Sequence, residues 1–304
     1  MARAPSSSGR SSTASGLEAR TQRLNTLLAA PSGLWLLLFF LVPLAVMVLH
    51  SFWYVESFQI IREFTLDNYV QALTRPVYRQ ALIGSFIVGV ATAAVCSAIA
   101  FALAWAVRFH TSKYRDLILL LIVVASIGSY LARIYSWRSI LGSSGLVDFI
   151  LVSLGLTDAP IDWLIFNRFA VVVALVNLFL PFAFLPIYAN LLSIRPEVIE
   201  ASRVLGAGPV RSFVKVSLPM ASTGLVISFI YVLIFATADF AAPAFLGGPR
   251  GIVTSELIAQ QFGTSFNWPL GAALALLYMV ILGAVVGLLA IVANRRTARM
   301  RAGA

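Results

Sequence analysis

The segment that decides the fold runs from Arg195 to Pro219 and reads RPEVIEASRVLGAGPVRSFVKVSLP. Pro196 stands at a helix-start position, acidic residues follow in the first turn, and Arg203 comes later, as in a short amphipathic helix. Residues 206–209 (GAGP) break that helix, and residues 210–217 can form a second one. The segment therefore predicts a helix, a turn and a second helix.

Long apolar blocks flank this segment on both sides and recur along the chain. Each is close to the length that a helix needs to cross about 30 Å of hydrocarbon at about 1.5 Å per residue. Unpaired backbone groups are prohibitive in lipid, and the blocks are too long for barrel strands, so each block should be a helix. The sequence predicts an all-α membrane protein with six transmembrane helices, a transmembrane domain over 33–293 and a loop, 192–218, between the fourth and fifth spans. The predicted spans are 33–53, 81–107, 117–135, 169–191, 220–242 and 270–293.

Composition excludes several other classes of protein. The chain has 304 residues, of which 60% are hydrophobic and 11% charged, and its mean hydropathy of +0.92 is too high for an ordinary soluble domain. The net charge of +10 does not indicate nucleic-acid binding, because the basic residues border the apolar blocks and form no stripe or separate domain. Cys96 is the single cysteine, and His50 and His110 have no carboxylate cluster near them, so no metal site is expected.

The basic residues indicate how the chain is oriented in the membrane. Residues 1–32 are rich in Ser, Ala, Gly and Arg and predict a disordered tail, and residues 294–304 form a second basic tail. Most Lys and Arg residues lie in these tails, in 108–116 and in the loop 192–218, and few lie in the opposite connections. By the positive-inside rule, both termini and the loop should be cytoplasmic. The first apolar block has no cleavage site after it and is interpreted as an uncleaved span.

The loop resembles a known family motif in both spacing and position. Glu200-Ala201-Ser202, followed by Gly206 and later by Leu218-Pro219, is similar to the EAA loop of permeases of ABC importers. Gly206 would permit a turn that a Cβ atom would strain, and Ala201 would leave room for a partner. The resemblance implies a coupling helix that docks on a separate ATPase. Its candidate coupling residues are Glu200, Ala201, Ser202, Gly206, Leu218 and Pro219, and Ser202 replaces the more common Ala.

A second resemblance, outside the loop, is to permeases of the spermidine/putrescine type. It rests on the segments FTLDNY (64–69), RIYSW (133–137), DFAAP (239–243), FLGG (245–248) and NWPLGAA (267–273). It implies a bacterial inner-membrane importer with two copies of an ATP-binding subunit, a second homologous permease, an extracytoplasmic solute-binding protein and a small-molecule substrate. The substrate implied is a polyamine, and another amine, an amino-acid derivative, an opine or an organic anion are the alternatives.

The sequence carries no signature of catalysis. It has no phosphate-binding loop of the form GxxxxGK[ST] and no Ser/His/Asp set or paired carboxylates in a pocket context. The chain is therefore not expected to be an enzyme or to bind a cofactor, and ATP and Mg should belong to the partner ATPase. A secondary transporter or channel is the alternative from another class, but it would normally show inverted repeats or several buried charges.

Four residues are candidates for the substrate path. Asp239, near the end of the predicted fifth span, could attract a cationic amine, since ionisable residues inside a membrane are commonly functional. Its alternative role is a helix-end group that bonds to its neighbours or pairs with Arg133. Tyr135, Trp137 and Trp268 could hold an alkylammonium chain by cation–π contact, or they could belong to the aromatic belt at the membrane surface.

Overall fold

The computed structural model describes residues 31–111, 113–157 and 161–302, so the predicted tail 1–32 lies outside the described residues except for its last two positions. The described chain is mostly helical, which confirms the all-α part of the predicted fold class. A short antiparallel hairpin joins β1 (Tyr54–Glu56) to β2 (Gln59–Ile61), with Val55 opposite Ile60. The helices are α1 (Pro31–Ser51), α2 (Asp67–Thr74), α3 (Pro76–Phe109), α4 (Arg115–Ile127), α5 (Tyr130–Leu141), α6 (Leu146–Ser153), α7 (Arg168–Leu192), α8 (Pro196–Val204), α9 (Val210–Met220), α10 (Ser222–Ala238), α11 (Ala241–Leu246), α12 (Thr254–Gly263) and α13 (Trp268–Ala302).

Four helices of the described chain are long and apolar enough to cross a membrane, and they are α1, α3, α7 and residues Trp268–Ala293 of α13. Two further pairs pass the same test only together, because each is sharply bent. The first pair is α4 with Tyr130–Ser153, bent by 95°, and the second is α9 with α10, bent by 73°. Length and composition therefore support four to six membrane-spanning helices.

The predicted third span, 117–135, is wrong as a single helix. α4 ends at Ile127, and Gly128 and Ser129 both have extended backbones, with ψ of 148° and 127°. The Ser129 side chain then accepts the Ala132 N–H and begins α5 as an N-cap. Glycine and serine stabilise a helix interior poorly and favour such ends, and an apolar average over the block conceals the break.

The predicted fifth span, 220–242, is also too long at both ends. α10 begins at Ser222, after a bend at Ala221, and it ends at Ala238. Asp239 has an extended backbone and lies two residues before the short helix α11, whose N-cap residue is Phe240. The predicted basic C-terminal tail, 294–304, begins as a continuation of α13, which runs to Ala302.

The core lies where α3, α7 and α10 pack together, and it includes the fully buried Leu175, Phe184 and Leu233. Cys96 is buried in the same cluster, in agreement with a packing role. Gly224 of α10 lies directly against the α7 backbone, where a Cβ atom would come within 2.9 Å of the Pro186 carbonyl oxygen. Small residues at such contacts let membrane helices approach closely. α7 and α10 are therefore firmly joined, and the loop between them leaves the core at a fixed position.

Candidate functional site

The loop between α7 and α10 folds as a helical hairpin, as its sequence predicts. Pro196 occupies the first turn of α8, and the chain reverses after Val204. Gly206 has a φ of +83°, a left-handed conformation that side chains with a Cβ rarely adopt. The turn therefore requires glycine at the position where the motif has it.

The tip of this hairpin is apolar and exposed. Leu205 is 88% exposed, and Val204 and Val210 beside it are similarly uncovered. Glu200 and Ala201 are also exposed, whereas Ile199 and Ser202 on the other side of α8 are buried. Exposed apolar residues clustered at a turn are a feature of surfaces that bind a partner.

A pair of serines joins the two arms of the hairpin. The hydroxyl oxygens of Ser202 and Ser212 lie 2.8 Å apart, and both residues are buried. The Ser202 hydroxyl also lies 2.7 Å from the Ile199 carbonyl oxygen, to which it donates. Ser202, the position where the motif departs from the more common Ala, is therefore a structural link between α8 and α9.

The hairpin is anchored to the end of α3. The Trp105 ring N–H donates to the Ser217 hydroxyl at 2.9 Å, and Arg108 donates to the Ile194 carbonyl at 3.3 Å. Phe213 of α9 packs against Trp105 with ring centroids 5.1 Å apart. Because buried aromatic and hydrogen-bond contacts resist shear, the hairpin should move together with α3 rather than as a loose loop.

Leu218 and Pro219 lie where the hairpin joins the bundle. Residues Phe213–Ser217 form a π-helical turn just before Pro219, and Leu218 packs against the core. A proline ring clashes with the carbonyl four residues earlier, and a wider turn relieves that clash. A similar π turn, Leu37–Leu41, comes before Pro43 in α1. The two motif residues thus lie just before the 73° bend between α9 and α10, which falls at Ala221.

Asp239 is placed at a polar junction between α10, α11 and α5. Its Oδ2 atom accepts a hydrogen bond from the Tyr130 hydroxyl at 2.5 Å, and its Oδ1 atom accepts one from the Ala242 N–H at 2.9 Å. Both carboxylate oxygens therefore hold neighbouring elements together. The alternative pairing with Arg133 does not occur, because Arg133 donates instead to the Ala125 and Gly128 carbonyls at the end of α4.

The three aromatic candidates lie in different surroundings. Tyr135 is half exposed and lies 5.0 Å from Phe245 of α11, measured between ring centroids, so it shares the α5–α11 junction with Asp239. Trp137 is partly buried against the core. Trp268 begins α13 and lies beside Phe262, with 6.4 Å between ring centroids. The structure brings Tyr135 towards Asp239 and leaves Trp268 in a different contact group.

The sequence does not reveal three hydroxyl donors at the end of α10, of which two bond to backbone carbonyls and one bonds to the Asp239 side chain. Tyr278 donates to the Thr237 carbonyl at 2.7 Å, and Ser255 donates to the Asp239 carbonyl at the same distance. Tyr130 bonds to the Asp239 side chain, as described above. A helix that ends among apolar segments leaves carbonyls that need donors, but the sequence does not show which distant hydroxyl will supply them.

An acidic residue outside the long helices lies close to this junction. Glu256 of α12 is half buried, and that burial raises the pKa of its carboxyl, although Gln260 donates to Oε1 at 3.3 Å and opposes the shift. Glu256 thus keeps a proton more readily than an exposed glutamate.

A membrane bundle with a polar junction and an exposed helical hairpin between two of its helices is typical of a transport permease, and comparison with known proteins agrees. Residues 17–299 match the family described as binding-protein-dependent transport system inner membrane component. The match covers most of the chain, so this chain belongs to that family. It is a multi-pass inner-membrane permease of the ABC importer class.

The chain is similar to curated permeases over nearly their whole length. It is 30% identical over 253 residues to the spermidine/putrescine transport system permease protein PotB of Haemophilus influenzae, with 83% of this chain and 88% of that protein covered. It is 29% identical to PotB of Escherichia coli, with 82% and 90% covered. The permease YdcU of Escherichia coli is 26% identical, with 82% and 83% covered.

Solved structures show the same fold. A chain of a bacterial ABC transporter involved in the import of the acidic polysaccharide alginate matches with a TM-score of 0.74, at 17% identity, over 91% of this chain and 97% of that one. The alginate transporter in complex with a pentasaccharide-bound periplasmic protein gives the same TM-score over 93% and 96% of the two chains. At this level of identity the likeness concerns the fold alone.

Proposed function

We propose that this permease carries a polyamine, such as spermidine or putrescine, into the cytoplasm, using ATP that a separate subunit hydrolyses. The observation that supports the transport mechanism is the α8–α9 hairpin. It connects the core helices α7 and α10, and its apolar tip is exposed. The substrate class is supported by the relatives named for spermidine and putrescine, which this chain matches over more than four fifths of its length.

The hairpin is the element that couples transport to ATP hydrolysis. Val204, Leu205 and Ala201 present an apolar surface to a groove on the ATPase, and Glu200 adds a charge beside it. The Ser202–Ser212 pair and the Trp105–Ser217 bond make the hairpin rigid. ATPase closure would therefore displace the hairpin as a body and move α3 and α10 with it, which biases the permease between inward-open and outward-open states.

The assembly contains more than this chain. Two ATP-binding subunits would carry ATP and Mg, a second homologous permease would complete the path, and an extracytoplasmic binding protein would deliver the solute. The family description, which names a binding-protein-dependent system, supports the last of these partners. This chain would cross the membrane six times, counting each bent pair as one span, with the hairpin and both termini in the cytoplasm.

The hydrogen bonds that the Asp239 carboxylate already accepts favour a second class of candidate substrate. They come from Tyr130 and Ala242, so a cationic solute would have to compete with them. Another small organic solute, such as an amino-acid derivative, an opine or an organic anion, does not require that carboxylate. In the polyamine case, Tyr135 lies close enough to the junction to contact an alkylammonium chain, whereas Trp268 lies in another contact group.

Solute-stimulated ATPase activity tests the substrate. The complex would be reconstituted in liposomes with its ATPase, second permease and binding protein, and the panel would include spermidine, putrescine, amino acids and organic anions. Stimulation by a polyamine above the level of the binding protein alone is the expected result. Stimulation by a different solute would retain the importer and reject the polyamine.

A further inference from the structure

The two arms of the α8–α9 hairpin are attached to the bundle by different kinds of contact. On α9, the fully buried Ser217 accepts the Trp105 N–H at 2.9 Å, and the Phe213 ring packs against the same tryptophan. On α8, an exposed side chain makes the contact, because the Arg203 guanidinium donates to the His110 Nε2 atom at 3.4 Å. Buried contacts resist displacement more than an exposed hydrogen bond does, so α8 is the arm that moves more easily.

His110 has a fixed place at the end of α3. Its backbone N–H donates to the Ala106 carbonyl at 2.9 Å, and its ring centroid lies 4.4 Å from that of Trp105. Because an arginine has only donors, Nε2 accepts the bond from Arg203, and the imidazole carries its proton on Nδ1. His110 therefore joins α8 to the same tryptophan that holds α9.

A displacement of α8 can reach α3 by two routes. One route passes through the Ser202–Ser212 hydroxyl pair to α9 and then to Trp105. The other route passes directly from Arg203 to His110. The first route contains a hydroxyl contact about which α8 can turn, whereas the second attaches the last turn of α8 to α3 at a separate point. Two separate attachments let α8 move α3 as one body, and a single attachment does not.

We propose that His110 is a positioning residue for coupling, which receives the displacement of α8 through Arg203 and passes it to α3. Glu200 and Ala201 lie exposed in the turn of α8 before Arg203, where a partner ATPase would press. With the Arg203–His110 bond in place, that pressure moves α3. Without the bond, α8 turns within the hairpin and part of the displacement is lost. The inference rests on the proposed coupling of transport to ATP hydrolysis, and it adds the residue at the end of α3 on which α8 acts.

The amount of solute taken up per ATP hydrolysed tests this role in proteoliposomes that contain the complete complex. The solute would be the member of the panel above that stimulates the wild-type complex. His110→Phe keeps an aromatic ring for Trp105 but has no acceptor, and we expect it to lower this ratio severalfold while ATP hydrolysis continues. Arg203→Ala should lower the ratio as far, and the double variant should lower it no further, because both changes remove the same bond.

Two variants serve as controls. His110→Gln loses the ring but offers an oxygen that can accept from Arg203, so it should keep most of the wild-type ratio. Arg211→Ala removes another exposed arginine of the same hairpin and should leave the ratio unchanged. Co-purification of the ATPase subunits with each variant would verify that the complex is assembled.

A wild-type ratio in both His110→Phe and Arg203→Ala would overturn the proposal. A loss in His110→Gln together with a normal ratio in His110→Phe would also overturn it, because the contact with the Trp105 ring would then explain the effect. An equal loss in Arg211→Ala would do the same by assigning the effect to the charge of the hairpin. Uptake by the wild-type complex without ATP hydrolysis is a different result, since it would contradict the proposed function as well as this inference.

Discussion

Asp239 holds two elements in place with one carboxylate, and this double role makes it sensitive to small changes. Asp239→Asn keeps an oxygen for the Ala242 N–H but removes the charge. If the carboxylate attracts a cationic solute, the half-saturating concentration for polyamine uptake should rise about tenfold, which corresponds to about 1.4 kcal/mol. Uptake kinetics in proteoliposomes would measure the change.

Tyr130→Phe is the matched control for this substitution. It removes the bond to Oδ2 and leaves the negative charge in place. The half-saturating concentration should then stay the same or fall, because the carboxylate is released for the solute. Unchanged kinetics in Asp239→Asn would assign the residue a purely structural role.

Ser202 should contribute to the stability of the α8–α9 hairpin, although in the sequence it only replaces the more common Ala of the motif. Ser202→Ala would leave the buried Ser212 hydroxyl without its partner, at a cost of about 1–3 kcal/mol. We expect faster hydrogen exchange of the hairpin amides, measured by mass spectrometry in nanodiscs. The double change to Ala at 202 and 212 should restore slow exchange in part, and equal exchange in the single and double variants would argue against the link.

At the scale of the element, the hairpin turn depends on the backbone of one residue. Gly206→Asp would place a side chain at a φ of +83°, at a cost of about 1–3 kcal/mol, and would add charge to an apolar tip. The protein should still reach the membrane, while the ATPase stimulation by the binding protein should be lost. Both can be measured on the same preparation.

Gly208→Asp provides the control, since Gly208 is equally uncrowded and lies in the same turn without a positive φ. It should retain most of the coupling. A loss of membrane expression in Gly206→Asp would indicate a folding role, and equal uncoupling in both variants would assign the effect to charge alone.

The bounds of some helices can be predicted from the sequence, and the bounds of others cannot. The hairpin was predictable because its proline, its acidic first turn and Gly206 act locally. The end of α4 was not, although Gly128 and Ser129 are visible in the sequence, because hydropathy over about twenty residues averages across a two-residue break. The partners of Asp239 were also unpredictable, since Tyr130 lies 109 residues away and only the packing of α5 against α11 brings it near.

For the whole molecule, the orientation in the membrane is a direct prediction. Two single-cysteine variants would be made in a Cys96→Ala background. Phe58→Cys lies in the turn between β1 and β2, where Phe58 is 90% exposed, and Leu205→Cys lies at the tip of the α8–α9 hairpin. An impermeant maleimide should label the first in intact spheroplasts and the second only after permeabilisation. The reverse pattern would contradict the positive-inside assignment and place the α8–α9 hairpin outside the cell.

This permease should move solute only when a partner hydrolyses ATP, and uptake in proteoliposomes measures that dependence. The complete complex would be compared with one whose ATPase subunits bind ATP but cannot hydrolyse it, and with vesicles that contain the permeases alone. We expect concentrative uptake in the first case and none in the other two. Concentrative uptake by the permeases alone would contradict it and indicate a transporter driven by an ion gradient.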